Sequence, residues 1–384
     1  MYNVIKDPSS KKFVNINNSK GKKILNNYLK FIENEKKGGF FFSSKSDNKG
    51  KKKSFFSKMG ETFKKHKGKI IAGTAALAGT ALAIKGVSMG MDLVTNALVR
   101  PFRNKHDIPM EKTDQIIKLK NYEFNRKTFR IKKENEIELQ VAQHIKTDGS
   151  KSNKCLIYCH GNASNLQDIY HNVPLKKMLK NGIDCVSFDF SGCGNSSAKF
   201  ISLGCNEKKD LLTIFKNFEN DYNEFYIWGR SMGAATTLLF LKEYQNQTFF
   251  KKIKGIILDS PFYSLKELTI SKAKPILKLN IITDQVFKSV NKRFKQKTNC
   301  DIEKINPGEK ISSLKIPMLI IGAKNDMLIS SEQFNKIYNE YGSAVNDFNQ
   351  KKIKIYEGEF KEGIPHGHNT PRYNVPIDFI FNFG

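Results

Sequence analysis

The chain lacks several features of secreted or lipid-anchored proteins. No apolar segment follows Met1, so we expect no secretory signal, and Tyr2 stands where N-myristoylation requires glycine. The six cysteines show no pairing rhythm, and three of them lie in apolar runs typical of buried strands. We therefore expect reduced thiols in a cytoplasmic protein.

Acidic residues are scarce at the amino-terminal end. Residues 1–69 hold nineteen Lys against five Asp or Glu, which gives about half of the net charge of +28. Within residues 38–69, phenylalanines alternate with lysines. This pattern favours an anionic membrane surface, because lysines are attracted to acidic lipid while aromatic rings enter the interface. The alternatives are a solvated, disordered tail and, less favoured, nucleic-acid binding, since no folded module surrounds the charges.

Long apolar runs are also missing. Residues 70–84 are uncharged and rich in Ala, Gly and Leu, but these fifteen residues fall short of the roughly 20 that span a bilayer. Lys85 separates them from a weaker apolar run that ends at Val99. Three interpretations of residues 70–99 stay open: a helix packed on the following domain, a helix or hairpin inserted in the membrane, and a span that continues past Lys85.

From residue 100 to residue 384 the composition is that of a globular domain. Alternating residues over 127–133 and 137–145 predict an antiparallel edge hairpin, and short apolar runs alternating with helical patterns predict an α/β fold, mostly parallel and covered on both faces. The insertion over residues 261–313 has no strand pattern and predicts a small helical cap with an apolar face opposite a lysine-rich one. The residues of the apolar face are Ile281, Ile282, Val286, Val290 and Phe294. The predicted parallel strands are 155–159, 183–188, 224–228, 256–258, 317–321 and 353–356, and the predicted helices are 166–180, 207–218, 232–244 and 375–383.

The motif with the clearest chemistry is Gly229-Arg230-Ser231-Met232-Gly233, which joins an apolar run to a helical pattern. A Gly-x-Ser-x-Gly turn between a strand and a helix exposes the serine hydroxyl above the sheet edge, and its glycines let neighbouring backbone pass close by. A five-residue motif with only three fixed positions recurs by chance, so the assignment of Ser231 as a nucleophile depends on partner residues elsewhere in the chain.

A serine nucleophile needs a base and an acid, which in this architecture follow it in the order acid, then His. Asp326 follows the apolar strand that ends at residue 321, and we predict it as the acid. Asp259 is the second choice, because its Asp-Ser-Pro turn favours a structural role. For the base we favour His368, in Gly-His-Asn, over His366. No third ligand accompanies this pair, so we predict no metal and no cofactor.

Backbone amides are predicted to stabilise the oxyanion. His160-Gly161-Asn162-Ala163 follows a buried strand, where the main chain can turn towards the serine. We assign the oxyanion hole to the N–H groups of Asn162 and Met232. His160 itself is expected to be structural.

Taken together, these motifs resemble the α/β-hydrolase superfamily, and in particular the membrane-associated acyl-protein thioesterases (depalmitoylases) and the serine aminopeptidase-like hydrolases. The resemblance covers about residues 120–384. It implies an α/β-hydrolase fold and a structural Asp189 turn. The depalmitoylases carry an amino-terminal cysteine cluster, whereas residues 1–150 of this chain contain no cysteine. The matching segments are 157–163, 188–196, 229–233, 258–262 and 367–368.

The expected function is a serine hydrolase that cleaves an acyl ester or thioester at a membrane surface, with a lipid or lipidated protein as substrate. Residues 38–99 are the expected contact with an anionic membrane. Two alternatives stay open: a serine peptidase or amidase of the same fold, and a non-catalytic membrane adaptor built on a hydrolase scaffold.

Overall fold

A nine-stranded sheet forms the centre of the computed structural model, and a separate two-stranded hairpin, β1 (Val4–Lys6) with β2 (Phe13–Asn15), lies near the amino terminus. The strands of the large sheet are β3 (Asp114–Leu119), β4 (Tyr122–Lys132), β5 (Glu138–Ile145), β6 (Lys154–Cys159), β7 (Ile183–Phe188), β8 (Glu224–Arg230), β9 (Ile253–Asp259), β10 (Met318–Ala323) and β11 (Lys351–Tyr356). The described residues are 4–6, 13–15, 91–92, 94–99, 106, 114–119, 122–133, 136–150, 152–277, 284–323, 326, 328–342, 351–356 and 380.

The sheet order is β11-β10-β9-β8-β6-β7-β5-β4-β3. The six strands from β11 to β7 are parallel, and β5, β4 and β3 join them in antiparallel fashion. The prediction of a mostly parallel α/β sheet is therefore confirmed. The hairpin of β4 and β5 is also present, but its predicted edge position is wrong, because β5 pairs with β7 and the unpredicted β3 forms the edge.

Helices cover both faces of this sheet. They are α1 (Ile169–Asn172), α2 (Leu175–Lys180), α3 (Glu207–Phe218), α4 (Met232–Tyr244), α5 (Leu265–Leu277), α6 (Asp284–Thr298) and α7 (Ser331–Gly342). The helices predicted over 207–218 and 232–244 match α3 and α4, whereas the single helix predicted over 166–180 is wrong. That stretch is a 3₁₀ turn followed by α1 and α2, and Pro174, which cannot donate a backbone hydrogen bond, separates the two helices.

Strand β6 shows why the central strands read as continuous apolar runs. Its residues from Cys155 to Cys159 are all buried. Ile157 packs in the layer that contains α3, α4 and α6, while Leu156 and Tyr158 pack in the layer that contains α1 and α2. A strand that is covered on both faces needs apolar residues at consecutive positions, not at alternate ones.

The insertion after β9 is helical, as predicted. Val290 and Phe294 of α6 are buried in the core, together with Phe287, while Lys288 and Lys292 on the opposite face are exposed. The predicted apolar face thus packs on the body of the domain, and the lysine-rich face points away from it. Ile281 and Ile282, which also belonged to the predicted apolar face, lie outside the described residues.

The prediction of reduced cysteines is wrong for one pair. Cys205, before α3, and Cys300, after α6, form a disulfide although they are 95 residues apart in the sequence. Cys155, Cys159 and Cys185 are free and buried, as is Cys193. Sequence spacing could not reveal the pairing, because only the packing of the insertion on the loop after β7 brings the two sulfurs together. Cysteine usage therefore no longer supports a cytoplasmic location.

The end of the apolar segment predicted over 70–99 packs on the body of the domain. Residues 94–99 are helical, and Val94 and Val99 are buried in the main core. The basic segment 38–69, the run 70–84 and most of the predicted helix 375–383 lie outside the described residues; of that helix only Ile380 is described, and it is buried. None of the described helices has the length and apolar character needed to span a bilayer.

Candidate active site

Ser231 occupies the sharp turn between β8 and α4, where the sequence predicts it. Its backbone angles are φ 51° and ψ −113°, a region that costs a non-glycine residue free energy and recurs at functional sites. The turn is held by two backbone hydrogen bonds: the Ser231 N–H donates to the Asp259 carbonyl at 2.7 Å, and the Ala235 N–H donates to the Ser231 carbonyl at 3.1 Å. The side chain is half-buried at the carboxyl edge of the sheet.

The two glycines of the motif are required by close approach of backbone. A Cβ at Gly233 would lie 2.1 Å from the Cys159 carbonyl oxygen and 2.7 Å from that of His160. A Cβ at Gly229 would lie 2.5 Å from the Gly233 carbonyl oxygen. Contacts below 3.0 Å to backbone cannot be relieved by a side-chain rotation, so both positions exclude any larger residue while the elbow keeps this geometry.

The loop after β6 lies against the nucleophile. A Cβ at Gly161 would be 3.6 Å from the Ser231 Cβ, an ordinary van der Waals contact. Asn162 is the next residue, and its Oδ1 is buried without a hydrogen-bond partner. Met232 is the first residue of α4, so its N–H has no acceptor within the helix, and the positive end of the helix dipole lies beside Ser231. Met232 thus follows the serine directly, and Asn162 follows the glycine that lies against it; their role as an oxyanion hole stays a prediction.

His160 anchors this loop through both ring nitrogens. Its Nε2 accepts the Phe190 N–H at 3.1 Å, so its Nδ1 carries the proton and donates to the Gly161 carbonyl at 2.7 Å. Complete burial lowers the pKa of His160, which favours this neutral tautomer. With both nitrogens engaged by backbone, His160 holds the loop in place and has no free nitrogen for proton transfer.

Asp326, the predicted acid, lies just beyond β10 and is buried. Its Oδ1 accepts the backbone N–H groups of Leu328 at 2.7 Å and Ile329 at 2.9 Å. These bonds fix the direction of the carboxylate at the carboxyl edge of the sheet, two strands away from Ser231. Its catalytic role stays a prediction, because both candidate bases, His366 and His368, lie outside the described residues.

Asp259, the second choice for the acid, belongs to a structural network that the sequence did not predict. Its carboxylate accepts the Ser260 hydroxyl at 3.0 Å and lies 3.9 Å from Nε of Arg230, the residue before the nucleophile. Arg230 Nη1 lies 3.4 Å from Asp168, which also accepts the Tyr158 hydroxyl at 2.8 Å. Burial would lower the pKa of Arg230, but Asp168 and Asp259 outweigh it and raise the pKa, so the guanidinium remains charged.

The Asp189 turn is structural, as the resemblance implied. Its carboxylate accepts the backbone N–H groups of Leu166 and Asn195, each at 2.7 Å, and lies 3.0 Å from His106 Nε2. Gly194 has φ 44°, and a Cβ there would meet the Asp189 carboxylate at 2.1 Å. The carboxylate therefore ties this turn to the segment that follows the loop of residues 160–163.

The four described histidines do not offer an alternative base. His160 is engaged by backbone, and His106 contacts the carboxylate of the Asp189 turn. His144 lies inside the sheet on β5, where burial lowers its pKa to about 4, and His171 is exposed on α1. No three His, Cys, Asp or Glu side chains within the described part of the chain come together as a metal site.

The parallel sheet, the strained serine elbow and the His-Gly-Asn loop define an α/β-hydrolase. A family model described as serine aminopeptidase, S33, matches residues 150–307, which contain the loop, the elbow and most of the cap. The topology is that of the α/β-hydrolase fold, and this match supports a hydrolase.

Curated relatives are similar to part of this chain. Uncharacterized protein R595 of Acanthamoeba polyphaga mimivirus is 28% identical over 242 residues, which are 60% of this chain and 71% of the relative. Lysophosphatidylserine lipase ABHD12 of Xenopus tropicalis is 27% identical over 194 residues, 50% of this chain and 47% of the relative. The ABHD12 of Danio rerio is 22% identical over 251 residues, 64% and 63% of the two chains. This chain thus spans about half the length of several ABHD12 relatives.

Solved structures with a similar fold include the Pyrococcus furiosus esterase Pf2001, with a TM-score of 0.48, 19% identity and coverage of 74% of this chain and 93% of that one. Acetyl xylan esterase 1 from Thermoanaerobacterium has a TM-score of 0.48 and 13% identity, with coverage of 77% and 92%.

Proposed function

We propose that the protein is a serine hydrolase that cleaves an acyl ester or thioester. Ser231 is the nucleophile, His368 the general base and Asp326 the acid that orients the base. The observation that carries this proposal is the strained Ser231 backbone at the amino terminus of α4, in contact with the loop that holds Asn162. At this position, between a strand and a helix, the strained backbone exposes the serine hydroxyl above the sheet edge, as a nucleophile requires.

The reaction proceeds through an acyl-enzyme. Ser231 Oγ attacks the acyl carbonyl carbon and gives its proton to His368, which then protonates the departing alcohol or thiol as its bond to the acyl group breaks. Water next attacks the acyl carbon and gives a proton to His368, and the serine oxygen leaves with that proton as the acid is released. The N–H groups of Asn162 and Met232 stabilise the oxyanion in both steps, each by about 3 kcal/mol.

Lipid esters are the substrates we favour. The relatives named lysophosphatidylserine lipase support a single-chain phospholipid as the first substrate to test. The proposed place of reaction is a membrane surface, to which the basic and aromatic residues of 38–69 would contribute. Thioesters of lipidated proteins use the same chemistry and form the second group of substrates.

Amide cleavage is the competing function, because the matching family model is described as a serine aminopeptidase. An aminopeptidase binds a free amino group, whereas a lipid hydrolase binds an acyl chain. The two are separated by comparing p-nitrophenyl esters of increasing chain length with aminoacyl p-nitroanilides, and by assaying lysophosphatidylserine directly. A preference for anilides would favour the peptidase.

A fluorophosphonate probe tests the nucleophile itself. We expect the wild-type protein to be labelled and Ser231→Ala to remain unlabelled, because the probe reacts only with an activated serine. Ser271→Ala is the matched control, since Ser271 is exposed on α5 and its hydroxyl donates only to the Leu268 carbonyl. Equal labelling of Ser231→Ala and wild type, or no labelling of wild type, would refute the proposal.

A further inference from the structure

One face of α6 carries an exposed stripe of lysines. Lys288, Lys292 and Lys295 recur at the spacing that places residues on one side of a helix, and all three are exposed. They span about 10 Å at 1.5 Å per residue. We call these three residues the lysine face of α6. The opposite side of the helix is buried in the core, so the lysine face is fixed in its outward direction.

The charge of this face is largely uncompensated. Lys288 and Lys292 have no hydrogen-bond or ion-pair partner among the described residues, and Lys295 has only Asp301 at 4.0 Å. Next to it lies an open cleft of about 440 Å³ with three cationic side chains in its lining. Among the described lining residues the one carboxylate is Asp92, which is paired with Arg293 at 2.8 Å. The residues that line the cleft are Asp92, Ser289, Lys292, Arg293, Gln296 and Lys297.

An aromatic side chain accompanies these charges. Phe200 is half-buried, and the ammonium groups of Lys199 and Lys297 lie 5.4 Å and 5.1 Å from the centre of its ring. Lysines beside an aromatic ring are a combination that suits the headgroup region of a bilayer, where the charges meet phosphate and the ring enters the interface.

Helix α6 lies at the active-site edge of the sheet. Its carboxyl end is tied to the loop after β7, because Asn206 Nδ2 donates to the Thr298 carbonyl at 3.0 Å and the disulfide follows two residues later. Near its amino end, the centre of the Phe287 ring lies 5.1 Å from Nζ of Lys266, and Lys266 lies at the start of the helix that follows β9. Since loops after parallel strands gather at one edge, these contacts place both ends of α6 near the edge that carries Ser231.

We propose that the lysine face of α6 docks the protein on an anionic phospholipid surface. Charge complementarity to lipid phosphate selects this occupant, and the position of α6 turns the active-site edge towards the bilayer. The docking surface is separate from the amino-terminal basic segment, and it acts whether or not Ser231 is catalytic. It would bring membrane acyl groups to the edge where the serine lies.

Vesicle co-sedimentation of the full-length chain tests this proposal. The variant K288Q/K292Q/K295Q removes the face, and K176Q/K177Q/K180Q removes three exposed lysines of α2 on the opposite layer as a matched control. With phosphatidylcholine vesicles that contain phosphatidylserine, we expect the α6 variant to partition about tenfold more weakly or worse, because each lysine near acidic lipid contributes roughly fivefold. The control should bind like wild type, and the difference should shrink in high salt.

Two further variants separate a loss of charge from a loss of folding, and membrane docking from catalysis. K288R/K292R/K295R keeps the charge and should bind like wild type. Ser231→Ala should also keep full vesicle binding, so a failure of the proposed hydrolase leaves the docking result intact. Equal losses in the α6 and α2 variants would overturn the proposal, as would equal binding of the wild-type protein to vesicles with and without phosphatidylserine. RNA is the competing anionic partner, and an α6 variant that loses binding to RNA but still sediments with the vesicles would also overturn it.

Discussion

Gly233→Ala tests the packing of the elbow against the strand beside it. The new Cβ would lie 2.1 Å from the Cys159 carbonyl oxygen, whereas a carbon and an oxygen in contact are about 3.3 Å apart or more. Relief requires the elbow and the end of β6 to separate by about 1 Å. Overpacking costs about 1–3 kcal/mol, and we expect about 3 kcal/mol here because backbone on both sides must move. A displacement of this size should also slow fluorophosphonate labelling about 10²-fold.

Gly161→Ala is the matched control, because its Cβ would meet its neighbours at 3.6 Å. We expect its free energy of unfolding to stay within about 1 kcal/mol of wild type. Urea unfolding followed by fluorescence measures both variants, since Trp228, the single tryptophan, is buried at the end of β8 near the elbow. If Gly233→Ala unfolds at the wild-type urea concentration and is labelled at the wild-type rate, the close approach described here is wrong.

Three further perturbations test the acid, a buried carboxyl group and the disulfide. Asp326→Asn should slow ester turnover about 10³-fold or more while the protein stays folded, whereas Asp259→Asn should mainly lower the urea midpoint; the reverse pattern would exchange their roles. Burial raises the pKa of Asp184 to about 6, so its contribution to stability is present below pH 4 and is lost as the pH rises through 6. Asp184→Asn should therefore flatten the dependence of the urea midpoint on pH between 4 and 6 and raise the midpoint at pH 8; an unchanged slope would contradict this. Replacing Cys205 and Cys300 by serine should lower the free energy of unfolding by about 4 kcal/mol and remove its response to reductant, and equal stability of both forms would mean that the bond does not constrain the chain.

The central elements could be predicted because the physical cause of each lies in its own residues. The strand Ile183–Phe188 and the helices Glu207–Phe218 and Met232–Tyr244 match the predictions residue for residue. A parallel strand between two helical layers needs a continuous apolar run, and a helix on such a sheet needs an apolar stripe. Both signals lie within a short stretch of residues, so a single sequence is enough to detect them.

The missed features depend on partners that are distant in sequence. Strand β3 lies at the sheet edge with Ile116 exposed, so its apolar pattern is weak. The disulfide joins residues from two loops that meet only after α6 has packed. Arg230 occupies a variable position of the elbow motif, and its importance comes from two acids on other elements. Such contacts have no local signature.

The backbone beyond the strand ends favours Asp326 over Asp259 as the predicted acid. The Ser231 N–H donates to the Asp259 carbonyl, and the Ser260 N–H donates to the Ile321 carbonyl, each at 2.7 Å. Ser231 and Ser260 have φ values of 51° and 53°, and each donates a hydrogen bond from the end of its own strand to the end of the next strand in the sheet. Asp259 thus belongs to the support beneath the nucleophile, and its carboxylate serves Ser260 and a buried arginine. The loop after the next strand carries Asp326, whose Oδ1 accepts two backbone N–H groups, and a carboxylate fixed in direction in this way is suited to orient a base.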